Sequence, residues 1–422
     1  MPRPRAPRLL LLLPTTTYRT AAFVEAARRL GVDLTVASEI PSTFEAVRPA
    51  ELLTLDFADP EGAALRVAEF ARQYPVAGVA GVDDDTVVVA AAVAARLGLR
   101  GNPVSAAVAA RDKHEQRLRL AAAGVPVPRF TLERLATDAR TAAARAAFPC
   151  VLKPLRLAAS RGVIRADDED QFVRALERLR GILAAPDAAR CGEPARHVLV
   201  EQYVPGTEVA VEGLLEGGDL RVLAIFDKPD PLEGPFFEET IYLTPSRLPP
   251  EEQGAAADLV RRAARALGLR EGPVHAEVRL NEQGAWLIEL AARPIGGRCS
   301  AVLRFREPSG AGETISLEEI VIRHALGMAL PALERASPAA GVMMIPVPGA
   351  GVLREVRGVS RARVVPLVED VVITAHRGER LVPWPEGSRY PGFIFARGPT
   401  PAEVEDALRT AHRALEFVVE AA

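Results

Sequence analysis

The sequence predicts an α/β protein of three units. These are an N-terminal doubly wound parallel sheet over residues 1–108, a larger α+β unit over 109–335, and a small C-terminal α+β unit over 336–422. Three observations predict it. A chain of 422 residues has room for about two to four domains of ordinary size. Its hydrophobic fraction of 49% and charged fraction of 25% are those of globular proteins and exclude wholesale disorder. Through the first hundred residues, short apolar runs alternate with helical patterns, as parallel βαβ units do.

Taken in order, residues 9–13 are apolar and stop at Pro14. That run is too short for a secretory leader's apolar core or a bilayer span, despite the basic residues before it, and reads as a buried strand. Residues 20–30 put Phe23, Ala26, Ala27 and Leu30 on one helical face, and Gly31 ends the helix. A strand at 33–37, a helix at 60–73 and a strand at 76–82 follow. Asp83-Asp84-Asp85 then reads as the cap of a helix over 84–97, in preference to a metal site. Pro14-Thr15-Thr16-Thr17 stands where a dinucleotide site would need its glycines, and no Gly-Lys pair exists for a Walker A loop. Residues 184–196 read as a loop. Pro331, Pro338, Pro346 and Pro348 set off the last unit, with β-rich runs at 371–375 and 392–396. Thr400 and Glu403 form a capping box for a terminal helix whose apolar stripe is Val404, Leu408, Ala411, Leu415 and Val418.

The net charge of −3 excludes a protein built mainly to bind nucleic acid or an acidic membrane. Cys150, Cys191 and Cys299 form neither a disulfide framework nor a zinc cluster and fit a reducing cytoplasm. His197, His324, His376 and His412 lack ligand spacing, and His114 reads as a surface residue. His275 caps its strand or shapes a pocket. Cys299 reads as a core residue despite Arg293 and Arg298 nearby.

The choice of cation is the most informative feature of the composition. Of 52 basic residues only three are lysine: Lys113, Lys153 and Lys228. If arginine has taken every position where any cation serves, the surviving lysines mark positions that need a compact, mobile point charge, the usual lysine mode toward phosphate. The competing reading is three leftover surface lysines.

Residues 275–290 alternate as a hairpin. With Glu282-Gln283-Gly284 as a three-residue loop, Asn281 pairs with Ala285, Arg279 with Leu287, and Glu277 with Glu289. Ala276, Val278, Leu280, Trp286, Ile288 and Leu290 form the apolar opposite face that sets the register. Two carboxylates level with each other, their Cβ atoms about 5 Å apart, repel unless something sits between them. A hard divalent cation that also takes phosphates is the natural occupant. The competing reading is a solvated face neutralised by Arg279.

Several fragments, in their order and spacing, resemble the ATP-grasp ligases. They are Arg111-Asp112-Lys113, Ala123-Gly124-Val125-Pro126-Val127-Pro128, Val151-Leu152-Lys153-Pro154, Val200-Glu201-Gln202-Tyr203-Val204, Gly206-Thr207-Glu208 and Ile288-Glu289. Ser160-Arg161-Gly162-Val163 and Pro235-Phe236-Phe237-Glu238-Glu239 are similar to the bacterial L-amino acid ligases, or dipeptide synthetases, within that group. The resemblance spans about residues 100–300, and the ends resemble biotin-carboxylase-like members.

The resemblance implies an ATP-grasp architecture with a lid at about 128–203. It implies ATP with Mg²⁺, or Mn²⁺ in its place, as cofactors. Lys113 and Lys153 correspond to the lysines that hold the ATP phosphates, and Ser160, Arg161 and Gly162 to the loop that closes over them. Glu201, Gln202, Tyr203 and Val204 correspond to the hinge strand that reads adenine, and Glu208 to the acceptor for the ribose hydroxyls. Glu277 and Glu289 correspond to the metal ligands, and Arg293 to the transition-state arginine. Glu239, Tyr242, Gly296 and Gly297 fall where substrate is contacted; Lys228 lies near the same cleft without an assigned role. Two positions depart from the family pattern. Ala291 stands where an asparagine is usual, which questions a second metal, and residues 155–159 contain no glycine.

The implied activity is an ADP-forming carboxylate–amine ligase acting through an acylphosphate and joining amino acids into dipeptides. Its partners would be a small-molecule carboxylate and amine, with no nucleic acid or membrane, in a cytoplasmic homodimer. The alternatives are a biotin-carboxylase-like or formate-using enzyme, and a non-catalytic ATP-binding module, for which Ala291 and the glycine-poor loop speak.

Overall fold

The first strand, Arg8–Leu12, is buried on both faces because its leucines alternate between two layers. Leu10 and Leu12 pack with residues of helices Pro60–Gln73 and Val87–Leu97. Leu9 and Leu11 pack with Phe23, Ala26 and Ala27 of helix Thr20–Leu30. The strand sits inside a four-stranded parallel sheet in the order Leu52–Thr54, Asp33–Ser38, Arg8–Leu12, Gly78–Gly81. This is the expected doubly wound arrangement. One cover is not local: Val321 and Ile322, from helix Leu317–Ala325, complete the same layer as Leu9 and Leu11. The computed structural model describes residues 6–308 and 313–421, so the basic residues at positions 1–5 lie outside it. Among the described residues, no helix is long and apolar enough to cross a membrane.

The acidic run does not cap a helix as expected. The helix starts at Val87 behind Thr86 with no side-chain cap, and Asp83, Asp84 and Asp85 line the central cleft instead.

A four-stranded antiparallel sheet lies in the stretch expected to be the lid, in the order Phe130–Arg134, His197–Gln202, Cys150–Pro154, Ile164–Ala166. Helix Glu169–Ala184 packs Phe172, Leu176 and Leu179 against it. The expected loop at 184–196 contains two short helical turns, Pro186–Ala189 and Glu193–Arg196.

The main sheet has eight strands, in the order Gly284–Ala291, Gly272–Asn281, Thr207–Glu216, Asp219–Asp227, Ile241–Thr244, Ala339–Met344, Gly392–Gly398, Val368–Ile373. The last three come from the stretch read as a separate unit, so residue 336 falls beside a continuous sheet. The Thr400 cap forms as expected, its side chain accepting from the Glu403 N–H. The helix ends at Arg413, however. Leu415 and Val418 lie past it, and Glu416–Glu420 is a strand pairing with Gly351–Arg357. Hydrophobic alternation there served a strand rather than a longer helix.

The hairpin corrects the expected register in a specific way. Its loop has two residues, not three: Asn281 pairs with Gly284 and Arg279 with Trp286. A bulge then leaves Ile288 extra between the pairs Val278–Leu287 and Glu277–Glu289. The bulge offsets the shorter loop, so the two glutamates are level after all. It also turns Leu287 into the core, leaving Trp286 and Ile288 outside it.

Candidate active site

The lid, the main sheet, the N-terminal loops and the C-terminal segment 374–393 enclose one cleft of about 1450 Å³. All three lysines are buried at or beside this cleft, which removes the leftover-surface reading. Each faces acid. Lys113 opens helix Lys113–Ala122, which Asp112 caps. Its Nζ lies 2.9 Å from Glu289 and donates to the Leu157 carbonyl at 3.0 Å. Lys153, on its lid strand, lies 2.7 Å from Glu201. Lys228 Nζ sits among three carboxylates, at 2.7 Å from Glu208, 2.5 Å from Glu239 and 3.1 Å from Glu277.

The residues that create this arrangement share one face of two paired strands. Arg279 stands opposite Glu208, Glu277 opposite Ala210, and His275 opposite Glu212. The small Ala210 leaves room over Glu277. The expectation that Arg279 neutralises the glutamate pair does not hold. Arg279 binds Glu208 at 2.8 Å and the Val204 carbonyl at 2.7 Å. Lys228 and Lys113 offset the pair instead, one each.

The charges shift accordingly. Burial works to raise the pKa of Glu201, but Arg117 at 2.5 Å and Lys153 outweigh it and bring it down to about 2. Burial likewise opposes ionisation of Glu208, and Lys228 with Arg279 overcome it, again to about 2. At Glu277, burial prevails over the attraction of Lys228, and Glu239 and Glu208 add repulsion, so its pKa rises to about 7. Tyr242, donating to Glu239 at 2.6 Å, is kept a neutral phenol by burial and by that carboxylate. Oxygens of Glu208, Glu239 and Glu277 all lie within 4.8 Å of one another. An all-oxygen set of this kind suits a hard divalent cation, and it offers carboxylates where Ala291 offers none.

The hinge residues follow the lid. Gln202 and Tyr203 spend their N–H groups on the Arg129 and Pro149 carbonyls. The Tyr203 ring lies under the guanidinium of Arg165 at 4.1 Å. The Glu201 carboxylate is turned inward to Arg117 and Lys153 and is 1% exposed. The glycine-poor loop takes the conformation glycine would favour: Ala159 and Ser160 both have φ of 54°, at a cost of roughly 1 kcal/mol each. The C-terminal unit braces it. The Trp384 indole donates to the Ala159 carbonyl at 2.8 Å, and the Gly162 N–H donates to the Pro385 carbonyl at 2.9 Å. Arg161 donates to the Glu386 carbonyl at 3.1 Å.

Arg293 leaves the end of the hairpin and binds Asp84 at 2.9 Å. The turn behind it is clamped twice. Arg19 donates to the Pro294 and Ile295 carbonyls at 3.1 and 2.7 Å, and Glu212 accepts from the Ile295 N–H at 3.1 Å. Burial pushes Glu212 well above the usual carboxylate range and His275, 3.6 Å away, well below the usual imidazole range. Burial also raises the Cys299 thiol, which fits the core role expected of it. Gly297 has φ of 57°, and a Cβ there would stand 2.5 Å from Met344 Sδ. Only glycine fits.

Asp84, Arg117, Glu212 and Arg19 were not singled out in the sequence as site residues. Asp84 was visible in the acidic run but read as a cap. Glu212 was visible by alternation, sharing a strand face with Glu208. Arg117 and Arg19, two among many arginines, carried no local signal.

A small antiparallel sheet facing a larger one across a cleft of paired carboxylates and lysines is the arrangement of an ATP-grasp domain. The ATP-grasp domain family matches residues 146–302, the ATP-grasp N-terminal domain residues 24–101, and the L-amino acid ligase C-terminal domain 2 residues 343–420. The crystal structure of an L-amino acid ligase from Bacillus licheniformis superposes with a TM-score of 0.82 at 26% identity, over 99% of this chain and 100% of that one. An alanine–anticapsin ligase of Bacillus subtilis is 33% identical over 48% of this chain and 45% of its own length. A D-alanine–D-alanine ligase of Aromatoleum aromaticum is 33% identical over 46% of this chain and 60% of its own. The chain thus spans about half the length of these two curated relatives. It carries ATP-grasp domains and is similar to ATP-grasp ligases, the L-amino acid ligases among them.

Because Glu201 ionises at about 2 in the fold against an ordinary 4.5, its contribution to stability is complete above 4.5 and is lost as the pH falls toward 2. Glu201→Gln should lower stability at pH 7 by about 3–5 kcal/mol. The gap from wild type should narrow in denaturation curves taken between pH 4.5 and 3. A gap that stays constant would show that the carboxylate is not its source.

Proposed function

We propose that the protein is an ATP-dependent, ADP-forming ligase that joins two amino acids through an acylphosphate. The carrying observation is the level pair Glu277 and Glu289, held in the cleft between Lys228 and Lys113 with Arg293 nearby. In this reading a substrate carboxylate attacks the γ-phosphorus of ATP, and ADP leaves. The amine of the second substrate then attacks the acyl carbon, and phosphate leaves. Such chemistry asks the protein chiefly for positioning and charge neutralisation.

Lys113 and Lys153 would bind the ATP phosphates, exchanging their present carboxylate partners for phosphate oxygens. Glu277 and Glu289, with Glu239 or Glu208, would hold Mg²⁺. Bound there, the ion would supply neutralisation of phosphate charge. Arg293 would face the charge that develops on the transferring group. The loop 159–162, braced by Trp384, would keep water from the acylphosphate. The lining supports amino acid substrates over bicarbonate or formate: Tyr18, Met344 and Phe393 give the cleft apolar surface beside Gly296 and Gly297.

Lys153→Ala and Glu289→Gln should each cut ADP release, measured across pairs of L-amino acids, by about 100-fold or more. Wild-type rates in either variant would contradict the assignment. Trp384→Phe keeps an aromatic side chain and removes the indole hydrogen bond to the loop. It should raise the KM for ATP about fivefold, the effect of about 1 kcal/mol, with the protein still fully folded at the assay temperature. An unchanged KM would remove the brace from the account.

A further inference from the structure

Arg298, the residue after the Gly296-Gly297 turn, is held in a costly position while, among the described residues, its guanidinium pairs with no carboxylate. Its φ of 56° lies in the left-handed region, which a non-glycine residue adopts at a cost of roughly 1 kcal/mol. Its main-chain N–H donates to the Tyr18 hydroxyl at 3.3 Å. Its guanidinium lies 5.4 Å from the Tyr18 ring and 5.2 Å from the Phe393 ring. One ring comes from the N-terminal unit and the other from the C-terminal stretch. The group borders the cleft, and its Nε is buried without a hydrogen-bond partner. Among the described residues no carboxylate lies within 4.0 Å of it, whereas Arg293 and Arg279 each have one.

Arginine presents five N–H donors in a planar fork whose shape matches a carboxylate. Aromatic rings against a guanidinium restrain it and leave its donor edge available. The site is therefore prepared for a planar anion. Arg293 already stands beside the Glu277–Glu289 pair, where the carboxylate to be activated belongs. That carboxylate loses its charge as the bond forms. A second, separate guanidinium fits an anion that keeps its charge throughout, and an amino acid acting as the amine carries one.

We propose that Arg298 binds the free α-carboxylate of the amine-bearing substrate and so selects amino acids over simple amines, amides and esters. This inference rests on the ligase reading and adds to it the residue that recognises the second amino acid.

The test uses the purified full chain with ATP and Mg²⁺. Pairs of the common L-amino acids are screened for ADP release, and mass spectrometry shows which member of an active pair serves as the amine. That member is then replaced by its carboxamide. Wild type should favour the free acid over the carboxamide by about 10- to 100-fold in kcat/KM, the range of a charge-assisted contact. Arg298→Met, which keeps the stem between the rings, should remove that preference mainly through a higher KM for the free acid, and should leave the carboxamide within about twofold. Arg298→Lys should restore part of it.

A wild type that takes acid and carboxamide equally would overturn the proposal while leaving the ligase reading intact. So would a methionine variant that impairs both equally, or one whose defect follows the acid partner. No ADP release by wild type with any pair would overturn the ligase reading, and this proposal with it.

Discussion

Two like-charged side chains directly opposite each other on a β-ladder work against folding unless a cation offsets them. Glu277 and Glu289 are such a pair, and much of the site follows from meeting that demand. Each is offset by one of the chain's three lysines, Lys228 and Lys113, while the third, Lys153, holds Glu201. The cleft thus carries its countercharges internally, as ammonium groups on flexible stems. Such groups can turn from carboxylate to phosphate when a nucleotide and its metal arrive, which a fork-shaped guanidinium does less readily. The scarcity of lysine elsewhere and its concentration here have one cause in this account.

Units far apart in the sequence build the cleft together. Asp84 and Arg19 of the N-terminal unit grip Arg293 and the turn behind it. Trp384 and Pro385 of the C-terminal stretch brace the lid loop. Arg117 ties the Glu201 carboxylate to the helix that begins with Lys113. The N-terminal sheet takes part of its cover from helix Leu317–Ala325, and the main sheet takes three strands from beyond residue 338. Movement of the lid against such a base would alter contacts to the loop, the hinge and the lysines together.

The sequence displayed the parts of this molecule that depend on short-range pattern. Leucine alternation gave the first strand, the glycine after Leu30 gave a helix end, and Thr400 with Glu403 gave a cap. The glutamate pair was legible too, though through a shorter loop and a bulge at Ile288 that happen to compensate. A bulge leaves no mark in a run of apolar residues where Leu287 and Ile288 are equally suited to either face. What was not legible depends on long-range partners. Asp84 read as a helix cap because its ion pair with Arg293 lies far away in the chain. Lys228 had no assignable role because its three carboxylates come from three separate strands and loops. The glycine-poor loop read as a departure from the family pattern because the indole that bonds the Ala159 carbonyl is supplied by the C-terminal stretch.

The central claim is that Glu277 and Glu289 together hold the divalent ion that accompanies the nucleotide. Electron paramagnetic resonance of Mn²⁺ titrated into the protein with ADP measures this directly, free of any assumption about the amino acid substrates. The account predicts nucleotide-dependent Mn²⁺ binding in the wild-type protein and its loss in both Glu277→Gln and Glu289→Gln. Equal Mn²⁺ binding by the wild type and the two variants, with ADP present, would contradict it.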